Sequence, residues 1–282
     1  MTAAELYLDL LKRTLTRLSL ADRYRFLDLS EAAHSGPGEV AAWYARGFRL
    51  AQELPVDPAK RIEGRDWPAE AETMVGLCRL DNIQQCVTSV LRDGIPGDLM
   101  ETGVWRGGAS IFMRAVLAAY GDSSRTVFVA DSFQGVPQPD PERFPQDGAD
   151  TAWGQLWRAP ELAVPLDVVK GNFERYGLLD QQVRFLPGWF RDTLPAAPVE
   201  RLAVLRLDGD LYESTILALQ HLYPRISPGG YLLIDDYGDI QACRQAVDDY
   251  RGQFGITEPI QTVDWTGAYW RVSPSAKPGA PA

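Results

Sequence analysis

Leu99-Met100-Glu101-Thr102-Gly103-Val104-Trp105-Arg106-Gly107-Gly108 is a short apolar run that breaks into glycines and reopens at Ala109 as a helical pattern reaching Tyr120. A strand that turns through glycine into a helix is the opening unit of an α/β domain. The alternation continues downstream. Strands are expected at residues 126–130, 183–186, 202–207 and 230–234, and helices at 166–176, 212–223 and 241–253. Two last strands, 260–263 and 268–272, flank Trp265-Thr266-Gly267 and read as a hairpin. Alternating strands and helices give a mostly parallel sheet covered on both faces, here closed by one antiparallel strand. Ligands in such sheets bind at the carboxyl ends of the strands. Asp131, Asp208 and Asp235 all stand at expected strand ends, so they converge on one crevice.

Upstream of Gly94 the pattern is helical. Leu8, Leu11, Leu15 and Leu18 recur at helical spacing, and Gly36-Pro37-Gly38 reads as a turn. A second helix is expected over 39–53 and a third over 69–92, with Pro55, Pro58, Gly64 and Pro68 marking irregular chain between them. The expected organisation is a helical extension over 1–93, an α/β domain over 94–273 and a disordered tail over 274–282.

Composition narrows the function. Of 282 residues 45% are apolar, enough for a true core. A net charge of -10 repels phosphate backbones and argues against nucleic acid. No apolar run approaches the roughly 18 residues needed to span a bilayer, so no membrane partner is expected. Residues 1–20 carry charges every few positions and do not read as a signal peptide. Cys78, Cys86 and Cys243 form no CxxC pair. Eight residues of helix separate the first two by about 12 Å, too far to bridge. A reducing cytoplasm is the expected location.

Two clusters carry chemistry. In the first, the glycines of the turn after Glu101 allow positive φ and close approach of the backbone to a ligand. The spacing is Gly-x-x-x-Gly, not the dinucleotide GxGxxG, and Glu101 would disfavour a pyrophosphate while suiting a cationic cofactor. Asp131 is placed to accept hydrogen bonds from a ribose. These features favour S-adenosylmethionine over NAD; the bland alternative is a plain glycine-rich turn of any doubly wound fold. The second cluster is Arg206-Leu207-Asp208-Gly209-Asp210-Leu211-Tyr212 with Leu233-Ile234-Asp235-Asp236-Tyr237. Clustered carboxylates repel unless a cation or proton intervenes, and an all-oxygen set suits magnesium. The bland alternative is helix capping, by Asp210 for the helix near Tyr212 and by Asp236 or Asp239 for the last helix. Ser132 could be a nucleophile, but neither histidine, His34 nor His221, is evidently placed to activate it. Gly188-Trp189-Phe190 could stack an adenine or simply pack in the core. The proline-rich stretch 136–160, with Trp153 and Trp157, reads as a substrate lid or as ordinary packing.

At these residues the sequence resembles the macrocin O-methyltransferase family. The runs ETGVWRGG (101–108), DSFQG (131–135), LPGWFRDT (186–193), RLDGDLYES (206–214) and IDDY (234–237) carry the resemblance, which covers about residues 7–272. It implies a class I, Rossmann-like methyltransferase fold with a mostly parallel seven-stranded sheet, S-adenosylmethionine and magnesium as cofactors, a glycosylated natural product as substrate, and a homo-oligomer. By the same resemblance Glu101, Thr102, Gly103, Val104, Gly107 and Gly108 hold the methionine part of the cofactor. Asp131 and Ser132 hold the ribose, and Gly188, Trp189 and Phe190 lie by the adenine. Asp208, Asp235 and Asp236 match metal ligands and Asp210 the catalytic base, although Asp208 and Asp210 could exchange roles. Two other functions remain open at this point. One is methylation of a catechol or other phenol, for which a planar ring would want aromatic walls. The other is a non-catalytic nucleotide-binding or scaffold protein on the same fold.

Overall fold

The computed structural model describes residues 1–19, 24–26, 37–48, 50–53, 57–68, 70–148 and 152–273; the expected tail over 274–282 lies outside them, as does Gly36 of the expected turn. The chain begins with α1 (Ala3–Leu15), closed at its start by a Thr2–Glu5 capping box. β1 (Tyr24–Phe26), α2 (Pro37–Ala45), β2 (Ala51–Glu53), α3 (Pro58–Glu63) and α4 (Leu77–Arg92) follow. The alternating part runs β3 (Asp98–Thr102), α5 (Gly108–Ala119), β4 (Val127–Asp131), α6 (Leu166–Arg175), β5 (Val183–Pro187) and the single turn α7 (Phe190–Thr193). It ends with β6 (Leu202–Leu207), α8 (Tyr212–Leu222), β7 (Ile226–Ile234), α9 (Gln241–Phe254), β8 (Gln261–Thr262) and β9 (Ala268–Arg271).

The seven-stranded sheet has the order β5-β4-β3-β6-β7-β9-β8. The pairings among β5, β4, β3, β6 and β7 are all parallel, and β9 alone runs against its neighbours β7 and β8. The expected mostly parallel sheet with a closing hairpin is therefore what forms. The strand order reverses between β3 and β6, so the loops after these two strands face one crevice. On one face α1, α4, α5 and α6 bury Leu8, Leu15, Leu80, Phe112 and Phe173 against the sheet. On the other, α8 and α9 bury Leu219, Leu222, Ala246 and Val247 around Trp270.

The helical extension departs from the expected pattern in two places. The second helix ends at Ala45, and Ala51–Glu53 instead pairs antiparallel with Tyr24–Phe26, so period alone missed a two-stranded ribbon. The third helix, expected over 69–92, begins at Leu77, because residues 70–76 run as irregular chain that links two helices. Their backbone reaches α1 through Glu72 N to Leu15 O (3.1 Å) and α5 through Gly108 N to Glu72 O (2.9 Å). A β-carbon on Gly108 would lie 2.5 Å from that Glu72 oxygen, so the glycine permits the crossing.

The long stretch after β4 is less irregular than its prolines suggest. It contains 3-10 turns at Pro145–Gly148, Ala152–Arg158 and Pro160–Leu162. Asp147, buried in the first of these, accepts hydrogen bonds from the backbone amides of Tyr212 (2.6 Å) and Glu213 (2.9 Å). It satisfies the open N-terminus of α8 from 65 residues away. Asp147→Ala should remove this cap and cost about 1–2 kcal/mol, read as a lowered urea midpoint. An unchanged midpoint would mean the stretch docks without it.

Candidate active site

The carboxyl ends of β3, β4, β6 and β7 open into a cavity of ≈ 370 Å³. Glu101, Asp131, Asp208, Asp210, Asp235 and Asp236 all line it. The expected convergence of strand-end acids is therefore realised.

Arg206 dominates the electrostatics. It is the penultimate residue of β6, a strand buried along its whole length, and its own exposure is 2%. Its Nη1 donates to Glu101 and, at 2.7 Å, to Asp208, and its Nη2 donates to Asp235. Arg79, in the first turn of α4, donates to the other Asp235 oxygen and, through Nε, to Asp264 at 3.0 Å. Ser110 donates to the remaining Glu101 oxygen. The Glu101 carboxylate expected to meet the cofactor directly is thus held by the protein on both oxygens. Burial pushes the Glu101 carboxyl up against the pull of Arg206, and it raises Asp208 too, helped by the neighbouring Asp235.

Asp210 and Asp236 form no ion pair among the described residues. Burial raises both carboxyls, with Asp208 the largest further cause for Asp210 and Asp210 for Asp236. Neither residue caps a helix through its side chain: α8 is capped by Asp147, and α9 begins after Ile240 with no side-chain cap. Asp210 holds a left-handed backbone, φ 59°. Trp105 and Phe133, in the turns after β3 and β4, share that conformation. A non-glycine residue held there stores strain that the surrounding structure must over-determine, a pattern that clusters at functional sites.

One carboxylate oxygen each from Asp208, Asp235 and Asp236 lie within 4.8 Å of one another, and Asp236 Oδ2 is buried without a partner. An all-oxygen, anionic donor set with an orphaned oxygen fits a hard dication such as magnesium. Two arginines offset only part of the charge of this cluster.

Of the expected cofactor residues, Glu101, Gly103, Val104, Asp131, Ser132, Trp189 and Phe190 line the cavity, whereas Thr102, Gly107, Gly108 and Gly188 do not. These four have structural roles. Thr102 is buried in β3, Gly108 accommodates Glu72, and Gly107 (φ 86°) turns the chain into α5 beneath Val169. Gly188 (φ 136°) lies over the Thr193 methyl. The close approach at Gly103 is also internal, since a β-carbon there would stand 1.7 Å from the Asp208 carbonyl oxygen. Asp131 accepts from the backbone amides of Val104 and Phe133, both at 2.7 Å, and so pins the glycine turn. Ser132 donates to Gly135 O at 2.7 Å, lies 3.4 Å from Asp131 Oδ1 and accepts from Gln134 N, so its hydroxyl braces the turn after β4. In the long stretch, Leu156 and Leu162 reach the cavity, while Trp157 lies under Arg158 away from it; the Trp153 side chain is outside the described residues.

A family model described as Macrocin-O-methyltransferase (TylF) matches residues 4–272. The chain belongs to this family. It is 56% identical to the 8-demethyl-8-(2,3-dimethoxy-alpha-L-rhamnosyl)-tetracenomycin-C 4'-O-methyltransferase of Streptomyces olivaceus, over 95% of this chain and 93% of that one. It is 51% identical to the Mycinamicin III 3''-O-methyltransferase of Micromonospora griseorubida, over 96% and 98%. The solved structure of the O-methyltransferase NovP superposes with a TM-score of 0.80 at 44% identity, covering 96% of this chain and 99% of that chain. The chain is therefore an O-methyltransferase, S-adenosylmethionine-dependent by family, on a class I methyltransferase fold.

Within this family fold, three features escaped the sequence reading. Arg206 stood in a quoted motif without a role, although a charge inside an apolar strand was a legible signal that carboxylates must surround it. Arg79 and Asp147 gave no signal, because their partners lie 156 and 65 residues away. Gly103→Ala should cost about 3 kcal/mol through overpacking against Asp208, seen as a lowered melting temperature. Wild-type stability would show that the turn can move aside.

Proposed function

We propose that this chain is a magnesium-dependent O-methyltransferase that methylates a sugar hydroxyl of a glycosylated, antibiotic-type natural product. The observation that carries the metal part is the meeting of Asp208, Asp235 and Asp236 within 4.8 Å, with Asp236 Oδ2 unpartnered. Support for the acceptor comes from relatives, one of them named for a rhamnosyl-bearing tetracenomycin. The family resemblance adds a homo-oligomer, which analytical ultracentrifugation would measure.

S-adenosylmethionine supplies an electrophilic methyl group on a positively charged sulfur. Asp208, Asp235 and Asp236 would hold magnesium, and the chemistry it would supply there is Lewis acidity toward the acceptor. The chain's own residues do the rest. The turn from Gly103 to Val104, pinned by Asp131, would hold the methionine and ribose, and Trp189 and Phe190 would pack against the adenine. Asp210, excused from helix capping by Asp147, accepts the hydroxyl proton as the oxygen–carbon bond forms and the sulfur–carbon bond breaks. Val136, Pro137 and Leu156 of the long stretch close the cavity from one side and form part of an acceptor lid.

A second reading, a catechol or other phenol as acceptor, draws on Trp67, Trp105, Trp189 and Trp265 in the cavity wall. On the first reading these rings hold adenine and aglycone. Mass spectrometry after incubation with a rhamnosylated polyketide and with a catechol separates the two.

EDTA should abolish turnover and magnesium restore it. Asp236→Asn should lower kcat by orders of magnitude while S-adenosylmethionine still binds in calorimetry. Full activity in exhaustively chelated buffer would defeat the metal assignment. Asp131→Ala should weaken S-adenosylmethionine binding by about 1.5–3 kcal/mol, the range for hydrogen bonds to a charged group. Unchanged affinity would reduce Asp131 to a clasp of the turn.

A further inference from the structure

Asp235 is gripped from two elements at once. Arg206 of β6 donates to Oδ1 and Arg79 of α4 to Oδ2, and both arginines are buried. Arg79 does not stop there. Its Nε reaches Asp264 Oδ2 (3.0 Å) and its Nη2 reaches Gly64 O (3.4 Å). Asp264 Oδ1 accepts from the amides of Thr266 (3.0 Å) and Gly267 (2.8 Å), while Thr266 Oγ1 donates to the Asp235 carbonyl at 2.9 Å. The turn after β8 is therefore tied to Asp235 twice, once through a side chain and once through the backbone. That turn carries Trp265, which lines the cavity, lies under Arg65 (4.5 Å) and donates to Glu63 O (2.8 Å).

We propose that Arg79 and Arg206 are positioning residues for the carboxylate centre, which set the rotamer of Asp235 and, through Arg79, couple it to the wall formed by Gly64, Trp265 and Thr266. This rests on the metal reading above. Asp208, Asp210 and Asp236 crowd Asp235 with further carboxyls, and an ungripped side chain there would turn away from them. A guanidinium keeps its charge, and its planar fork fixes two acceptors in direction as well as in distance. An ammonium in the same place keeps the charge and loses the fork.

Mn²⁺ serves as the probe, with full-length protein, titration calorimetry and the electron paramagnetic resonance spectrum of the bound ion. Arg79→Lys should weaken Mn²⁺ binding about tenfold or more and change the spectrum, leaving S-adenosylhomocysteine affinity unaltered. Asp264→Asn, one residue removed from the centre, should weaken Mn²⁺ in the same direction by less, and it decides the matter alone should Arg79→Lys fail to fold. Arg206→Lys should weaken both ligands, since Arg206 also holds Glu101. Wild-type Mn²⁺ affinity and spectrum in both Arg79→Lys and Asp264→Asn, or tighter binding in Arg79→Lys, would overturn the positioning role and leave the arginines as charge compensation. A wild-type protein that binds no Mn²⁺ at all would overturn the metal reading itself, and this inference with it.

Discussion

Arg206 carries a permanent positive charge into the interior of the sheet. A guanidinium cannot shed its proton to escape burial, so the fold must surround it with carboxylates or not form. Glu101 from β3, Asp208 from the end of β6 and Asp235 from the end of β7 provide them. Three neighbouring strands are thereby held in register at the end where the cavity opens. Stripping one partner from such a buried cluster typically costs about 3–5 kcal/mol, because the charge left behind is unpaired. The same acids that neutralise the arginine lie beside Asp210 and Asp236, for which no ion-pair partner is present among the described residues. Asp210 and Asp236 are thereby left without a counter-charge, the condition under which a carboxyl takes up a proton or a cation.

Backbone crowding supplies the second constraint. Gly103 lies so close to Asp208 that no side chain fits between the turn after β3 and the end of β6. Asp131 then pulls the turn toward β4 through the Val104 amide. The position of the glycine turn is fixed by protein–protein contacts on both sides. The helical extension is equally committed to the site. Arg79 of α4 holds Asp235, and residues 70–76 cross over α5 with Thr73, Met74 and Val75 on the cavity wall. A segment that reads as a preface in sequence is part of the chamber in space.

Much of this was legible. Short apolar runs located every strand of the large sheet and its antiparallel hairpin, since buried parallel strands leave apolar runs of distinctive length. Leu202–Leu207 is the clearest case, with all six residues buried. The acids at strand ends were legible too, because a strand that stops at an aspartate places it at the sheet's rim. The β1–β2 ribbon was not, for strands of three residues carry too little pattern to oppose a helical reading. Nor was the late start of α4, where Gly76 and the needs of a chain crossing overrode helical spacing.

Sequence by itself determined the fold class, the side of the sheet on which the site lies and the acids that meet there. Periodicity and strand ends are local properties, and local properties survive in a one-dimensional pattern. Only the tertiary structure decided what each acid does. It assigned Asp147 to the start of α8, freed Asp210 and Asp236 from capping, and oriented Glu101 and Asp235 by hydrogen bonds from arginines and a serine. The reason is that a carboxylate's role is set by its partners. Those partners come from strands and helices that lie 105 residues apart for Glu101 and Arg206 and 156 for Arg79 and Asp235, and they become neighbours only when the sheet assembles.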